Sequence, residues 1–157
     1  MIIKTAAADE TFALGARLAK LLAPGDVICL AGDLGTGKTV LVQGIAAGLG
    51  IDEAVTSPTF TVLNVYEGVI PLYHFDLYRL DKPAELEDVG FYDYIGGGGV
   101  TVVEWPDKFI FALPGERLWI SLLSGEQPTE RILEFIGTGQ RYTKLGEEML
   151  RIAVNGS

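Results

Sequence analysis

The 157 residues include one cysteine and one histidine. A single cysteine excludes a disulfide framework within the chain. With one histidine beside it, the usual His/Cys zinc site cannot be assembled from this chain alone. Cys29 sits in the apolar run VICLAG, which reads as the setting of a buried structural thiol rather than a nucleophile. Basic residues are also scarce, 12 Lys and Arg against 21 Asp and Glu, for a formal charge of −9. A chain this acidic lacks the general attraction for phosphate backbones and anionic lipid, so any nucleic acid is expected to be held by a partner. No apolar run approaches the ~20 residues of a membrane span. The N-terminal MIIKTAAADE contains no long apolar segment either. The expectation is a soluble, cytoplasmic protein with no membrane contact.

What is present is enough apolar material for a core, 48% of the residues, and a length that suits one domain over residues 1–157. Leu14, Leu18, Leu21 and Leu22 give residues 8–26 the stripe of an amphipathic helix, stopped by Pro24-Gly25. DVICLA is continuously apolar after its aspartate, as befits a strand covered on both faces. A second helix is predicted over residues 39–50, with Gly50 as its cap. TFTVLNVY (59–66) and VIPLYHFDLY (69–78) read as a hairpin, with Pro71 marking an edge or a bulge. A short helix follows over KPAELEDVG (82–90), and IGGGGV is a surface turn. VTVV is a third apolar strand that ends at Glu104. RLWISLL and RILEFIG form another hairpin, and residues 140–153 close the chain as a helix. The pattern predicts an α/β fold with a central mixed parallel and antiparallel sheet flanked by helices.

Gly32 to Thr39, GDLGTGKT, match G-x-x-x-x-G-K-[ST] in full. Glycines allow the backbone to turn tightly, so that successive N–H groups converge on phosphate oxygens. Lys38 adds an ammonium near the β and γ phosphates, Thr39 offers a hydroxyl to Mg²⁺, and the following helix directs its positive end at the same anion. Such a loop needs an acid at the tip of a neighbouring strand. Glu104 is the favoured candidate on spacing, and Asp76 is delivered less cleanly. Ser57 and Thr59, in SPTF, could reach phosphate or Mg²⁺, or simply form a Ser-Pro turn that opens a strand. Arg79 is the one basic side chain between Lys38 and Lys82. A phosphotransferase with a closing lid wants several arginines, so the shortage favours a slow or partner-completed ATPase. A small metabolite kinase and a non-catalytic nucleotide-gated module are the alternatives.

YHFDLYRL, Tyr73 to Leu80, holds the lone His74. Read with a period of two, His74, Asp76 and Tyr78 share a polar face. With no second His, Cys or nucleophile at readable spacing, His74 reads as structural. Arg79 is either a phosphate neighbour or a clamp for the acidic helix that follows.

Taken in order, GDLGTGKT, SPTF, YHFDLYRL, ELEDVGFYDYI and VVEWP resemble the bacterial TsaE (YjeE) family, from about residue 9 to 108. Beyond Pro106 the similarity is one of pattern. The resemblance implies a single-domain P-loop NTPase that hydrolyses ATP with Mg²⁺. It also implies a role in the N6-threonylcarbamoylation of adenosine 37 in tRNAs that read codons starting with A. The TsaB–TsaD pair would hold the transferase site, and tRNA would be met only through that complex. By the same resemblance, Gly35, Thr36, Gly37, Lys38 and Thr39 hold the phosphates, and Thr39 and Glu104 serve Mg²⁺. Asp76 falls on the essential aspartate, so that Lys38, Asp76 and Glu104 form the catalytic set. Trp105 falls beside the nucleotide, Ser57 and Thr59 on a switch-like segment, and Thr11 near the adenine. Val40 takes a place in the nucleotide-binding set where relatives often carry a second Thr or Ser.

Overall fold

Val27, Ile28, Cys29 and Leu30 are apolar without a break, and all four are buried. A strand of this kind needs cover on both faces. In the computed structural model, which describes residues 1–33 and 35–155, it is β2 (Val27–Ala31), at the centre of a seven-stranded sheet. The other strands are β1 (Ile2–Thr5), β3 (Leu63–Tyr66), β4 (Leu72–Asp76), β5 (Val100–Glu104), β6 (Arg117–Ser124) and β7 (Arg131–Thr138). Their order across the sheet is β1-β7-β6-β2-β5-β4-β3. β6, β2, β5 and β4 are mutually parallel, while β7, β1 and β3 pair antiparallel. The fold is therefore α/β with a mixed sheet.

Side chains alternate across the strands, and the two sets pack on different helices. Ile28, Leu30, Val102 and Ile120 face a layer built from α1 (Ala8–Ala19), α2 (Lys38–Gly48) and α5 (Gln140–Asn155). Val27, Cys29, Phe75 and Val103 face a thinner layer. It consists of α3 (Ala84–Asp88), α4 (Phe91–Tyr94) and the 3-10 segment Pro106–Ala112. Burial pushes the Cys29 thiol up to about 12, which leaves it a protonated core side chain. At the other end of β2, Asp26 is buried and clasped by α5. The Arg141 guanidinium donates to both of its oxygens at 2.7 and 2.5 Å, and the Tyr142 hydroxyl donates at 3.2 Å. No helix among the described residues is long and apolar enough to cross a membrane.

Several elements differ from the sequence expectation. β1 was not anticipated. It has four residues, two of them exposed, and it exists by pairing with β7. The predicted strand over 59–66 begins only at Leu63, because Val62 adopts a φ of 67°, a conformation that a β-branched residue rarely takes. The helix expected over 82–90 stops at Asp88, and a second turn starts after Gly90, whose φ is 77°. Pro71 marks neither an edge nor a bulge. It directly precedes β4, an inner strand, and its carbonyl accepts from Val100 N. The polar face of β4 is not wet, since His74 and Asp76 are both buried.

α1 and α2 touch backbone to backbone. A Cβ on Gly44 would lie 2.1 Å from Phe12 O, and one on Gly15 would lie 2.4 Å from Leu41 O. This contact sets where the N-terminus of α2 points. Alanine in a helix interior ordinarily gains about 1 kcal/mol over glycine, but Gly44→Ala should reverse that sign. The expected loss is about 2 kcal/mol or more, a drop of about 4–8 °C in thermal denaturation for a chain of this size. Gly98→Ala, with open space around it, should leave the melting temperature unchanged.

Candidate functional site

The chain leaves β2 at Ala31 and turns through the glycine-rich loop into α2. Gly32 has a φ of 149°, and a Cβ there would meet Leu122 O at 2.6 Å. Only glycine allows the loop to start this close to β6. Gly37, in the left-handed region with a φ of 96°, directly precedes the first helical residue, Lys38. Lys38 is buried, and its ammonium is compensated on three sides. Nζ donates to Gly32 O at 2.7 Å, lies 3.7 Å from Glu104 Oε1, and sits 4.5 Å from the centre of the Trp105 ring. Trp105 reaches over Lys38 because its backbone is left-handed, with a φ of 56°.

β5 and β4 bring the acids. Glu104 is the last residue of β5 and pairs in register with Asp76, the last residue of β4. Both are buried. His74 Nε2 lies 2.5 Å from Glu104 Oε2. Asp76 accepts from Tyr78 N at 2.9 Å and from the Thr59 hydroxyl at 3.2 Å. Ser57 and Thr59 share a hydrogen bond of 2.7 Å, so SPTF hangs on Asp76 rather than opening a strand. Arg79 does not reach the site. It donates to Phe60 O at 2.9 Å and holds the outer turn of the same segment.

Because β2, β4, β5 and β6 run parallel, these groups gather at one edge of the sheet, outside the carboxyl ends of its strands, where ligands bind in such folds. A cavity of about 400 Å³ lies there. Thr11, Gly35, Gly37, Lys38, Thr39, Val40, Ser57, Thr59, Asp76, Glu104 and Trp105 all line it. Thr36 does not. Its side chain is buried beneath the loop and donates to Asp33 O at 2.7 Å. Leu34 of the motif lies outside the described residues. The Thr11 hydroxyl is tied to Thr5 at 2.7 Å, so what α1 presents at that wall is largely methyl and backbone.

Sequence reasoning missed Ala8, Pro128, Thr129 and Arg131, which complete the lining. Arg131, the first residue of β7, donates to Thr36 O at 3.0 Å and to Gly35 O at 3.2 Å, and also to the carbonyls of Pro128 and Glu130. It clamps the glycine-rich loop from across the sheet. No local signal announced it, because it lies 95 positions from Thr36.

The donor set suits an anionic phosphate chain with a hard cation. Backbone N–H groups at a helix N-terminus and one ammonium favour phosphate. Thr39, Glu104 and Asp76 offer oxygen ligands, the kind Mg²⁺ takes alongside water and phosphate. Burial pushes the Asp76 carboxyl above the ordinary carboxylate range, and the Glu104 charge acts in the same sense. The Tyr78 N–H, the Thr59 hydroxyl and Lys38 oppose it.

A carboxyl whose folded pKa is raised holds its proton more tightly in the fold than in the unfolded chain. Its contribution to stability is present below the unfolded pKa and is lost as pH rises through the folded one. Asp76→Asn should therefore melt above the wild type near neutral pH. The gap should close toward about pH 4, where the ordinary carboxylate takes up its proton; thermal scans across pH read this directly. Arg131→Ala should weaken binding of inorganic triphosphate about tenfold, the equivalent of 1.4 kcal/mol. It should also speed hydrogen exchange at the Gly35 and Gly37 amides. Unchanged affinity in calorimetry would remove the clamp.

Comparison with known proteins places this geometry in a family. The family model described as threonylcarbamoyl adenosine biosynthesis protein TsaE matches residues 5–133, well past Pro106. The tRNA threonylcarbamoyladenosine biosynthesis protein TsaE of Bacillus subtilis is 44% identical over 149 residues, covering 94% of this chain and 92% of the relative. The protein of the same name from Treponema pallidum is 44% identical over 115 residues, 73% of this chain and 85% of the relative. The crystal structure of Bacillus subtilis YdiB superposes with a TM-score of 0.83 at 39% identity, covering 96% of this chain and 94% of that one. The chain belongs to the TsaE family, small P-loop proteins of tRNA threonylcarbamoyladenosine biosynthesis.

Proposed function

We propose that this protein binds and hydrolyses ATP with Mg²⁺ in the cytoplasm, in support of threonylcarbamoylation of adenosine 37 by a TsaB–TsaD complex. The observation that carries the reading is the convergence of the glycine-rich loop, Lys38, Glu104 and Asp76 on one cavity. The loop amides and Lys38 would hold the triphosphate. Lys38 would exchange its bond to Gly32 O for phosphate oxygen as the anion enters. Thr39 and Glu104 would hold Mg²⁺, which neutralises charge on the β and γ phosphates when bound. Asp76, whose proton affinity is raised by burial, would orient the attacking water as a hydrogen-bond acceptor. Thr59, already bonded to Asp76, would carry the state of that carboxylate into the Ser57–Val62 segment. Arg131 lines the cavity but gives its N–H groups to backbone carbonyls. Turnover by the isolated protein is accordingly slow, and TsaB–TsaD changes its rate.

The test is ATP hydrolysis by the purified protein with and without TsaB–TsaD, together with the threonylcarbamoyladenosine content of tRNA. Lys38→Ala and Glu104→Ala should each lower hydrolysis about 100-fold or more and abolish ATP-dependent modification. Modification that persists in either variant refutes the assignment. A rate indifferent to the partner refutes the coupling.

A further inference from the structure

His74 is buried to 0% exposure at the centre of β4 and is the only histidine in the chain. It pairs in register with Val102 of β5, so Glu104 is its diagonal neighbour on the same face, within reach of long side chains. Nε2 meets Glu104 Oε2 at 2.5 Å. A carboxylate oxygen only accepts, so Nε2 carries the hydrogen. Nδ1 has no hydrogen-bond partner among the described residues. A buried ring with one nitrogen unpaired is a costly way to fill space, and an apolar ring would serve packing better. The single polar tie of His74 is therefore what distinguishes it from a core phenylalanine, and that tie ends on Glu104.

The tie has a geometric effect. Glu104 also forms an ion pair with the buried ammonium of Lys38, through Oε1. That ion pair, at 3.7 Å, is longer than a hydrogen bond, whereas Oε2 is held by His74 at 2.5 Å. One carboxylate oxygen is anchored in the core, and the other is left at the cavity.

We propose that His74 is a positioning residue that fixes the Glu104 carboxylate for Mg²⁺. This rests on the reading of Glu104 as the magnesium-side acid. The test is the affinity for ATP, measured by calorimetry with Mg²⁺ and with EDTA, for the wild type, His74→Gln, His74→Asn and His74→Phe. Glutamine places an amide N–H near the position of Nε2, asparagine stops short of it, and phenylalanine keeps the ring without the donor. Wild type and His74→Gln should bind more tightly with Mg²⁺. In His74→Asn and His74→Phe that tightening should shrink about tenfold, the scale of losing an outer-shell partner, while affinity in EDTA is unchanged. Glutamine and asparagine are both polar and differ by one methylene, so the comparison survives even if the phenylalanine variant fails to fold. The proposal is overturned if His74→Asn keeps the full Mg²⁺ effect, or if His74→Gln loses as much of it as His74→Asn. A wild type that binds ATP equally with and without Mg²⁺ overturns the reading of Glu104 itself, which is a separate and recognisable result.

Discussion

A lysine ammonium removed from water must be compensated, and most of the site follows from how Lys38 is. An uncompensated buried charge costs several kcal/mol. Gly32 O, the Glu104 carboxylate and the Trp105 ring together surround Nζ, and each makes a demand of its own. Gly32 must hold a backbone that no side chain would fit. Glu104 is itself buried, and His74 satisfies its second oxygen. Trp105 must adopt a left-handed backbone, at about 1–2 kcal/mol for an L-residue. A desolvated cation–π contact, about 2 kcal/mol or more, is of the size needed to offset it. The turn at Trp105 also launches the 3-10 segment that covers the opposite face of the sheet. One cation thus organises the end of β5, the start of α2 and the helix cover between them.

Topology decides which strands can contribute to the cavity. Four parallel strands put their carboxyl ends on one edge, and that edge supplies the loop, both acids and the tryptophan. β7 runs antiparallel to β6, so its first residue returns to the same edge. That is why Arg131, together with Pro128 and Thr129 of the preceding turn, closes a wall that the parallel strands alone would leave open.

What could be read from the sequence was whatever is local. The loop motif, the apolar strand before it and the helix after it occupy one continuous stretch, and Glu104 at the tip of an apolar strand has a recognisable form. The tie between His74 and Glu104 was illegible, because parallel pairing of β4 and β5, not spacing in the chain, makes them diagonal neighbours. Arg131 was illegible for the same reason at greater distance. The segment 59–62 was misread because threonine and valine favour strands, whereas the hydrogen bonds of Thr59 to Asp76 and of Val62 N to Pro58 O fold it into a turn. β1 left no trace, since four residues alternating between exposed and buried positions hold too little apolar surface to announce a strand.

The Arg131 clamp has a bearing on how the protein is made. The glycine-rich loop is complete by Thr39, yet the guanidinium that fastens it is encoded 95 positions after Thr36, and β1 waits for the same strand. Contacts of such long range close late and slowly. On the ribosome, the early part of the chain would pass through a period in which its glycine-rich loop exists in sequence but is not yet fastened in shape. The loop would then reach its final shape only when β7 has been synthesised, so the proposed grip on a nucleotide would tighten late in the making of the chain.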